Sequence, residues 1–260
     1  MKLTVLVDNN TYIDQYYFGE PAFCCLLEGE GKKILFDTGY SDIFLKNAKK
    51  MGIALDDLTH VVLSHGHNDH TRGLQFLPPS SARLVAHPGC FVPKFCDGQD
   101  IGAPFSAQDA AQRWELHLSR RPEALTEHLL WLGEIPRTTD FENRTPIGIS
   151  GGQDDFLPDD TALVWQREDG IFIITGCSHS GICNIVEYAK QVCGNDRVLG
   201  ILGGFHLLED GPQLDRTVDY LAGLDLQMLY PCHCVCLQAK AKMLTRMPVT
   251  EVGVGMTLEL

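Results

Sequence analysis

Short apolar runs, many of them β-branched, alternate along this chain with amphipathic segments and turn signals, a rhythm that predicts alternating strands and helices. Met1 to Asp8 reads as a first strand. Ala22 to Glu28 and Lys33 to Phe36 flank Gly29-Glu30-Gly31 and predict a hairpin, closed by Asp37-Thr38-Gly39. Ser41-Asp42 then caps a helix carrying Ile43, Phe44, Leu45, Ala48 and Met51, with Gly52 as its stop. The run His60-Val61-Val62-Leu63 is short and β-branched, so it reads as a buried strand.

The second half repeats this order. Ala162 to Gln166 and Ile171 to Ile174 flank Glu168-Asp169-Gly170, another hairpin, and Thr175-Gly176 ends it as Thr38-Gly39 ended the first. A helix over 181–192 presents Ile182, Ile185, Val186 and Ala189 on one face and stops at Gly194. A strand over 197–202, a helix over 211–222, a strand over 227–230, a helix over 237–247 and a strand over 251–260 complete the chain. Between the halves, residues 88–158 show no clear period and contain Pro93, Pro104, Pro122, Pro136, Pro146 and Pro158. We therefore expect a single domain, 1–260, with a substrate-specificity insertion at about 88–158. Inside it, 106–118 is compatible with a helix and 128–132 with a strand.

Histidines recur where strands end: His65 and His67, His87, His179, His206, His233. If those ends meet at one sheet edge, the imidazoles converge. The densest stretch is Leu63-Ser64-His65-Gly66-His67-Asn68-Asp69-His70-Thr71. Side chains two apart on extended backbone share a face, so His65 and His67 can reach one metal ion. Asp69 and His70 fall past the turn and are better placed to serve a second ion. A solvated histidine-rich loop is the plain alternative, and this spacing disfavours it.

Composition narrows the function classes. The 260-residue chain is long enough to bury a core without crosslinks, and its net charge of −13 argues against nucleic acid as a partner. No apolar run approaches a membrane span. Ten cysteines lack a disulfide-framework spacing, and the first residues resemble a strand rather than a signal peptide, so we expect reduced thiols in a cytoplasm.

The motif Ser64 to Thr71, preceded by Leu35-Phe36-Asp37-Thr38-Gly39, resembles the metallo-β-lactamase superfamily over nearly the whole chain. The resemblance implies an α/β fold, a four-layer αββα sandwich built from two halves, and two divalent metal ions, zinc foremost with iron or manganese as alternatives. It also implies His65, His67, Asp69 and His70 as ligands. Leu229-Tyr230-Pro231-Cys232-His233 matches the final motif and adds His233. Where the family has Gly-Asp, this chain has Gly176-Cys177-Ser178-His179. His179 is then expected to complete the first site, and Cys177 is either a soft thiolate ligand or a small packed residue. Gly176 to Gly181, Gly203-Gly204-Phe205-His206-Leu207, Pro231 to Cys234 and Glu134-Ile135-Pro136-Arg137 are similar to one branch, the group of an archaeal dihydropterin-methyl ribofuranosylaminobenzene phosphate synthase. Arg72 and Val235-Cys236 depart from that branch's pattern.

Two ions about 3.5–4 Å apart lower the pKa of a shared water and polarise a substrate oxygen. The expected function is a dinuclear metal-dependent hydrolase, or a related transferase displacing diphosphate, acting on a small anionic, phosphorylated substrate. Asp69 is the candidate proton-handling residue, and Arg137, Arg72 and His206 are candidate anion contacts. Asp37 serves either to orient a ligand or as a turn residue. Two other readings stay open: a lactone or ester hydrolase, and a non-catalytic metal or redox sensor using Cys177 and the alternating cysteines of Cys232-His233-Cys234-Val235-Cys236.

Overall fold

A computed structural model describes residues 1–260, and the chain divides into two compact units. The first comprises Met1–Arg120, Ile147–Asp155 and Gly253–Leu260; the second comprises Arg121–Pro146 and Phe156–Val252. No helix is long and apolar enough to cross a membrane.

In the first unit, Cys24–Gly29 and Lys32–Phe36 pair antiparallel around a tight turn. Glu30 (φ 50°) and Gly31 (φ 70°) both take positive φ there, as a primed two-residue hairpin turn requires. Lys2–Val7 and then Thr257–Glu259 extend the sheet antiparallel on one side. His60–Val62, Arg83–Ala86 and Glu115–Leu118 extend it in parallel on the other, giving seven strands. Parallel neighbours need a crossover, and the helix Ile43–Lys50 provides the first. Its buried Phe44 and Ala48 join a core with Leu6, Leu35, Val61, Leu63, Leu84 and Trp114.

Four local expectations change. Of the expected cap Ser41-Asp42, only Ser41 acts, its Oγ accepting from Ile43 N at 3.3 Å, while Asp42 makes no cap bond and pairs with Lys46 at 2.8 Å. The carboxylate near that helix start is Glu20, which accepts from Tyr40 N, Ser41 N and Ser41 Oγ. The stretch 106–118 splits into the short helix Ala107–Ala111 and the strand Glu115–Leu118. Its edge pairing with Arg83–Ala86 and the burial of Trp114 outweigh the helical pattern. The C-terminal strand spans only Thr257–Glu259, and the last helix, Leu237–Leu244, stops before Met247.

Part of the 88–158 stretch is ordered into a small antiparallel sheet of Lys94–Cys96, Gln99–Asp100, Ile149–Ser150 and Gln153–Asp154. Strands of two or three residues are too short to leave a period in sequence. A buried ion pair, Lys94 Nζ to Asp155 Oδ2 at 2.8 Å, ties its first strand to the residue after its last.

The second unit follows the order of the first. Ala162–Arg167 and Gly170–Thr175 form the hairpin, the helix Ile182–Cys193 crosses over, and Val198–Gly203 pairs in parallel. Pro212–Ala222 crosses again to Met228–Pro231, while Leu129–Trp131 and Glu123–Ala124 add on the far side for six strands. Gly194, at φ 61°, ends the first crossover helix in the left-handed conformation. Ile182, Ile185, Val186 and Ala189 pack with Ile171, Ile173, Ile201, Val218 and Leu229. Burial of each larger aliphatic side chain among these contributes about 1.5–3 kcal/mol.

The Lys94–Asp155 pair allows a direct test. Removing the carboxylate takes the ion partner from a buried ammonium, so Asp155→Ala should destabilise the chain by about 3–5 kcal/mol in urea unfolding. The double variant Lys94→Met, Asp155→Leu should recover most of that loss. A loss below about 1 kcal/mol in the single variant would refute a structural role for the pair.

Candidate metal centre

Parallel strands present their carboxyl ends at one edge, which is where ligand sites of α/β sheets form. In the first unit, Lys32–Phe36 ends in Asp37 and His60–Val62 runs into Ser64 and His65. Asp37 takes φ 58°, an uncommon backbone conformation that a short polar side chain tolerates. Its Oδ1 accepts from Ser64 N at 2.7 Å, and its Oδ2 accepts from Ser64 Oγ and lies 2.7 Å from His70 Nδ1. All of this is buried.

The network assigns tautomers. Ser64 has one hydroxyl proton and gives it to Asp37, so its 2.9 Å contact with His65 Nδ1 requires that Nδ1 donate. His65 Nε2 then carries the lone pair. His70 Nδ1 likewise donates to Asp37, which leaves Nε2 as an acceptor 3.3 Å from Asp69 Oδ2. Two electron-rich atoms that close need a positive charge between them, a proton or a metal ion. Burial alone would lower the pKa of His70, yet the Asp69 and Asp37 carboxylates outweigh it and hold the pKa well above the ordinary imidazole value. This is the electrostatics of a cation site.

His65 and His67 approach with ring centroids 4.8 Å apart, and His65 and His70 at 4.3 Å. The expected pairing of His65 with His67 on one ion is compatible with their ligand nitrogens lying within 4.8 Å. The turn that carries them is held from several sides. Asn68 N donates to Ile101 O at 2.8 Å, Thr71 Oγ1 donates to His67 O at 2.9 Å, and Thr38 N donates to His70 O at 2.8 Å. Gly66 is required here, since a Cβ would lie 2.4 Å from Cys90 O and 2.8 Å from Lys94 Cε. His87 is buried, and its Nδ1 accepts from Gly89 N, capping the turn Pro88–Phe91.

In the second unit the strand ends are again strained. Ser178 (φ 59°), His206 (φ 47°) and His233 (φ 50°) all have positive φ, a feature that gathers at functional sites. Ser178 Oγ donates to Gly204 O at 2.7 Å. Ser180 N and Oγ both donate to Asp160 Oδ2, at 2.9 and 2.5 Å. Burial raises the Asp160 carboxyl to about 6, against the bonds from Ser180 and His179 and the charge of Arg137. His179 and His206 have ring centroids 4.4 Å apart, and ligand atoms of Cys177 and His233 lie within 4.8 Å.

The alternating cysteines do not gather into one cluster. Cys234 Sγ accepts from His206 N at 3.3 Å and donates to Cys177 O at 3.6 Å, while Cys236 Sγ accepts from Ala239 N and caps the last helix. Of the expected anion contacts, Arg72 is exposed and His206 is half-buried beside His179. The Arg137 guanidinium donates to the carbonyls of Asn143, Phe156 and Leu157. Sequence reasoning passed over Ser64, whose place beside His65 was its only signal, and Asn143, which had none.

Comparison with known proteins shows the family and the fold. The chain belongs to the metallo-β-lactamase superfamily, whose family model matches residues 17–82. It is 32% identical to an uncharacterised protein of Methanocaldococcus jannaschii, over 93% of each chain. It is 27% identical to that organism's 7,8-dihydropterin-6-methyl-4-(β-D-ribofuranosyl)-aminobenzene-5'-phosphate synthase, over 92% of this chain and 89% of the synthase. A solved structure, the metal-dependent hydrolase of the β-lactamase superfamily Tm1679, superposes with TM-score 0.87 at 28% identity, covering 100% of this chain and 99% of the other. The expected αββα sandwich is therefore the fold of this chain.

The second unit yields a pH prediction through Glu142. Its carboxylate accepts from Cys183 N at 2.8 Å and Asn184 N at 3.0 Å. Burial nevertheless holds its pKa above the ordinary value, the bonds from Cys183, Asn184 and Thr139 only partly opposing it. A carboxyl whose folded pKa is raised binds its proton more tightly when folded, so its contribution to stability falls as pH rises through and above about 4.5. In metal-free protein, Glu142→Gln should lose that slope, so the wild-type unfolding free energy should fall relative to the variant as pH rises above the ordinary carboxylate range. Parallel curves would show that Glu142 titrates as it does in the unfolded chain.

Proposed function

We propose that the chain is a metal-dependent enzyme that holds two divalent ions, zinc by preference. His65, His67, Asp69 and His70 of the first unit and His179 and His233 of the second would be the ligands. The observation that carries this reading is the contact of His70 Nε2 with Asp69 Oδ2 at 3.3 Å, which requires positive charge between the two atoms. The donors are mostly imidazole with one carboxylate, which suits zinc better than magnesium or calcium. The membership of both halves in one set is carried over from the family.

When bound, such ions supply Lewis acidity and a water of lowered pKa. The chain's own residues do the rest. Asp37 and Ser64 fix the ring orientation and tautomer of His65 and His70. Asp69, with its side chain 19% exposed, holds or passes the proton of the attacking nucleophile at its carboxylate. The substrate is small, anionic and phosphorylated, in keeping with the similarity to a phosphate-substrate synthase. Arg72 and His206 are its candidate contacts, together with Arg137, whose guanidinium also donates to three carbonyls. The 88–158 segment sets specificity. None of the ten cysteines is joined in a disulfide, in keeping with a reducing cytoplasm.

Purified, zinc-loaded chain should retain close to two metals, and His67→Ala should lose at least one. Hydrolysis of a generic phosphodiester should require the metal and be inhibited competitively by inorganic phosphate and by diphosphate. A wild-type chain that retains no metal would overturn the reading, and a preference for neutral lactones or esters would replace it with the plain hydrolase.

A further inference from the structure

We propose that Asn143 is the positioning residue for His179, an inference that rests on the metalloenzyme reading above. Asn143 lies in the connection between the strands Leu129–Trp131 and Ala162–Arg167. Its side-chain Nδ2 donates twice, to Ser178 O at 2.9 Å and to His179 O at 2.8 Å. Its Oδ1 accepts from Gln213 Nε2 at 3.0 Å, and its main-chain carbonyl accepts from Arg137 at 3.2 Å. One amide thus commits both of its protons to two successive carbonyls of the turn that presents His179.

The neighbours of that turn show why this clamp matters. Ser178 is held through its hydroxyl by Gly204, and Ser180 through its N–H and hydroxyl by Asp160. The bonds from Asn143 fix the peptides between those anchors, including the carbonyl of His179 itself. Successive carbonyls on a strand point opposite ways, so a single donor group reaching both selects one turned conformation. No other residue type fits as well. Aspartate lacks the protons, glutamine adds a methylene, and the backbone at φ 41° is one that Asn and Gly accept most readily.

The clamp also leads outward. Asn143 and Gln213 line a cavity of about 360 Å³ together with Thr145, His206, Leu208 and Pro212. The His206 ring sits 4.4 Å from that of His179. The chain of bonds from Gln213 to Asn143 to the His179 carbonyl therefore starts at the cavity wall and ends on a proposed metal ligand.

The test uses Asn143→Asp, which keeps the shape and loses the donors, and Asn143→Gly, which keeps the backbone and loses the amide. Zinc affinity is measured by chelator competition, and ligand geometry by the visible spectrum of the cobalt-substituted chain. Both variants should weaken the same metal equivalent that His179→Ala weakens, by about 10–100-fold, with an altered cobalt spectrum. The metal-free chain should melt within about 4 °C of wild type. In a His179→Ala background, Asn143→Asp should weaken zinc no further, because the two act on one ligand. Wild-type affinity and spectrum in both variants, an additive loss in the double variant, or a large drop in metal-free melting temperature would overturn the role. A wild-type chain without metal would instead overturn the metalloenzyme reading on which it rests.

Discussion

One buried carboxylate orders the first half of the proposed centre. Asp37 stands at the end of a strand in a left-handed conformation and draws together Ser64 from the next strand end and His70 from the turn beyond. A buried carboxylate costs several kcal/mol unless its lone pairs are met, and these three contacts meet them. In doing so they fix Nδ1 of His65 and of His70 as the donor and turn each Nε2 toward the site. Metal-ligating histidines need that condition before any ion arrives.

The second unit solves the same problem without a carboxylate at its strand end. The turn carrying Cys177 to Ser180 is held by neutral donors and acceptors, Ser178 to Gly204 and Asn143 to two carbonyls, with Asp160 set one residue farther on. Gly204 is part of this arrangement, because a Cβ there would lie 2.5 Å from Cys234 Sγ and 2.6 Å from Gly176 O. Cys234 in turn bridges His206 N and Cys177 O. A cysteine that suggested a thiolate cluster in sequence thus serves to join two strand ends.

Much of this was legible in the sequence because it rests on local rules. Hairpin turns, helix stops and the repeated order of elements follow from glycine positions and apolar periods, and the spacing within Ser64 to Thr71 marks residues that the fold gathers into candidate metal clusters. What escaped rests on contacts distant in the chain. Asn143 reaches 36 residues ahead to the His179 carbonyl. Lys94 reaches 61 residues to Asp155. Glu115–Leu118 looked helical because its strand character comes from pairing with Arg83–Ala86. The guanidinium of Arg137 likewise drew attention as an anion contact, and only the fold shows the carbonyls that take its protons.

The central claim is that the Asp37 network prepares imidazole nitrogens for a metal. Its most direct measurement is the zinc affinity of Asp37→Asn, read by chelator competition alongside the unfolding free energy of the metal-free chain. An amide cannot accept from Ser64 N, Ser64 Oγ and His70 Nδ1 together, so the tautomers of His65 and His70 lose their bias. The account predicts a loss of zinc affinity of about 10–100-fold, larger than any change in metal-free stability explains. Unchanged affinity in a folded Asp37→Asn chain would contradict it.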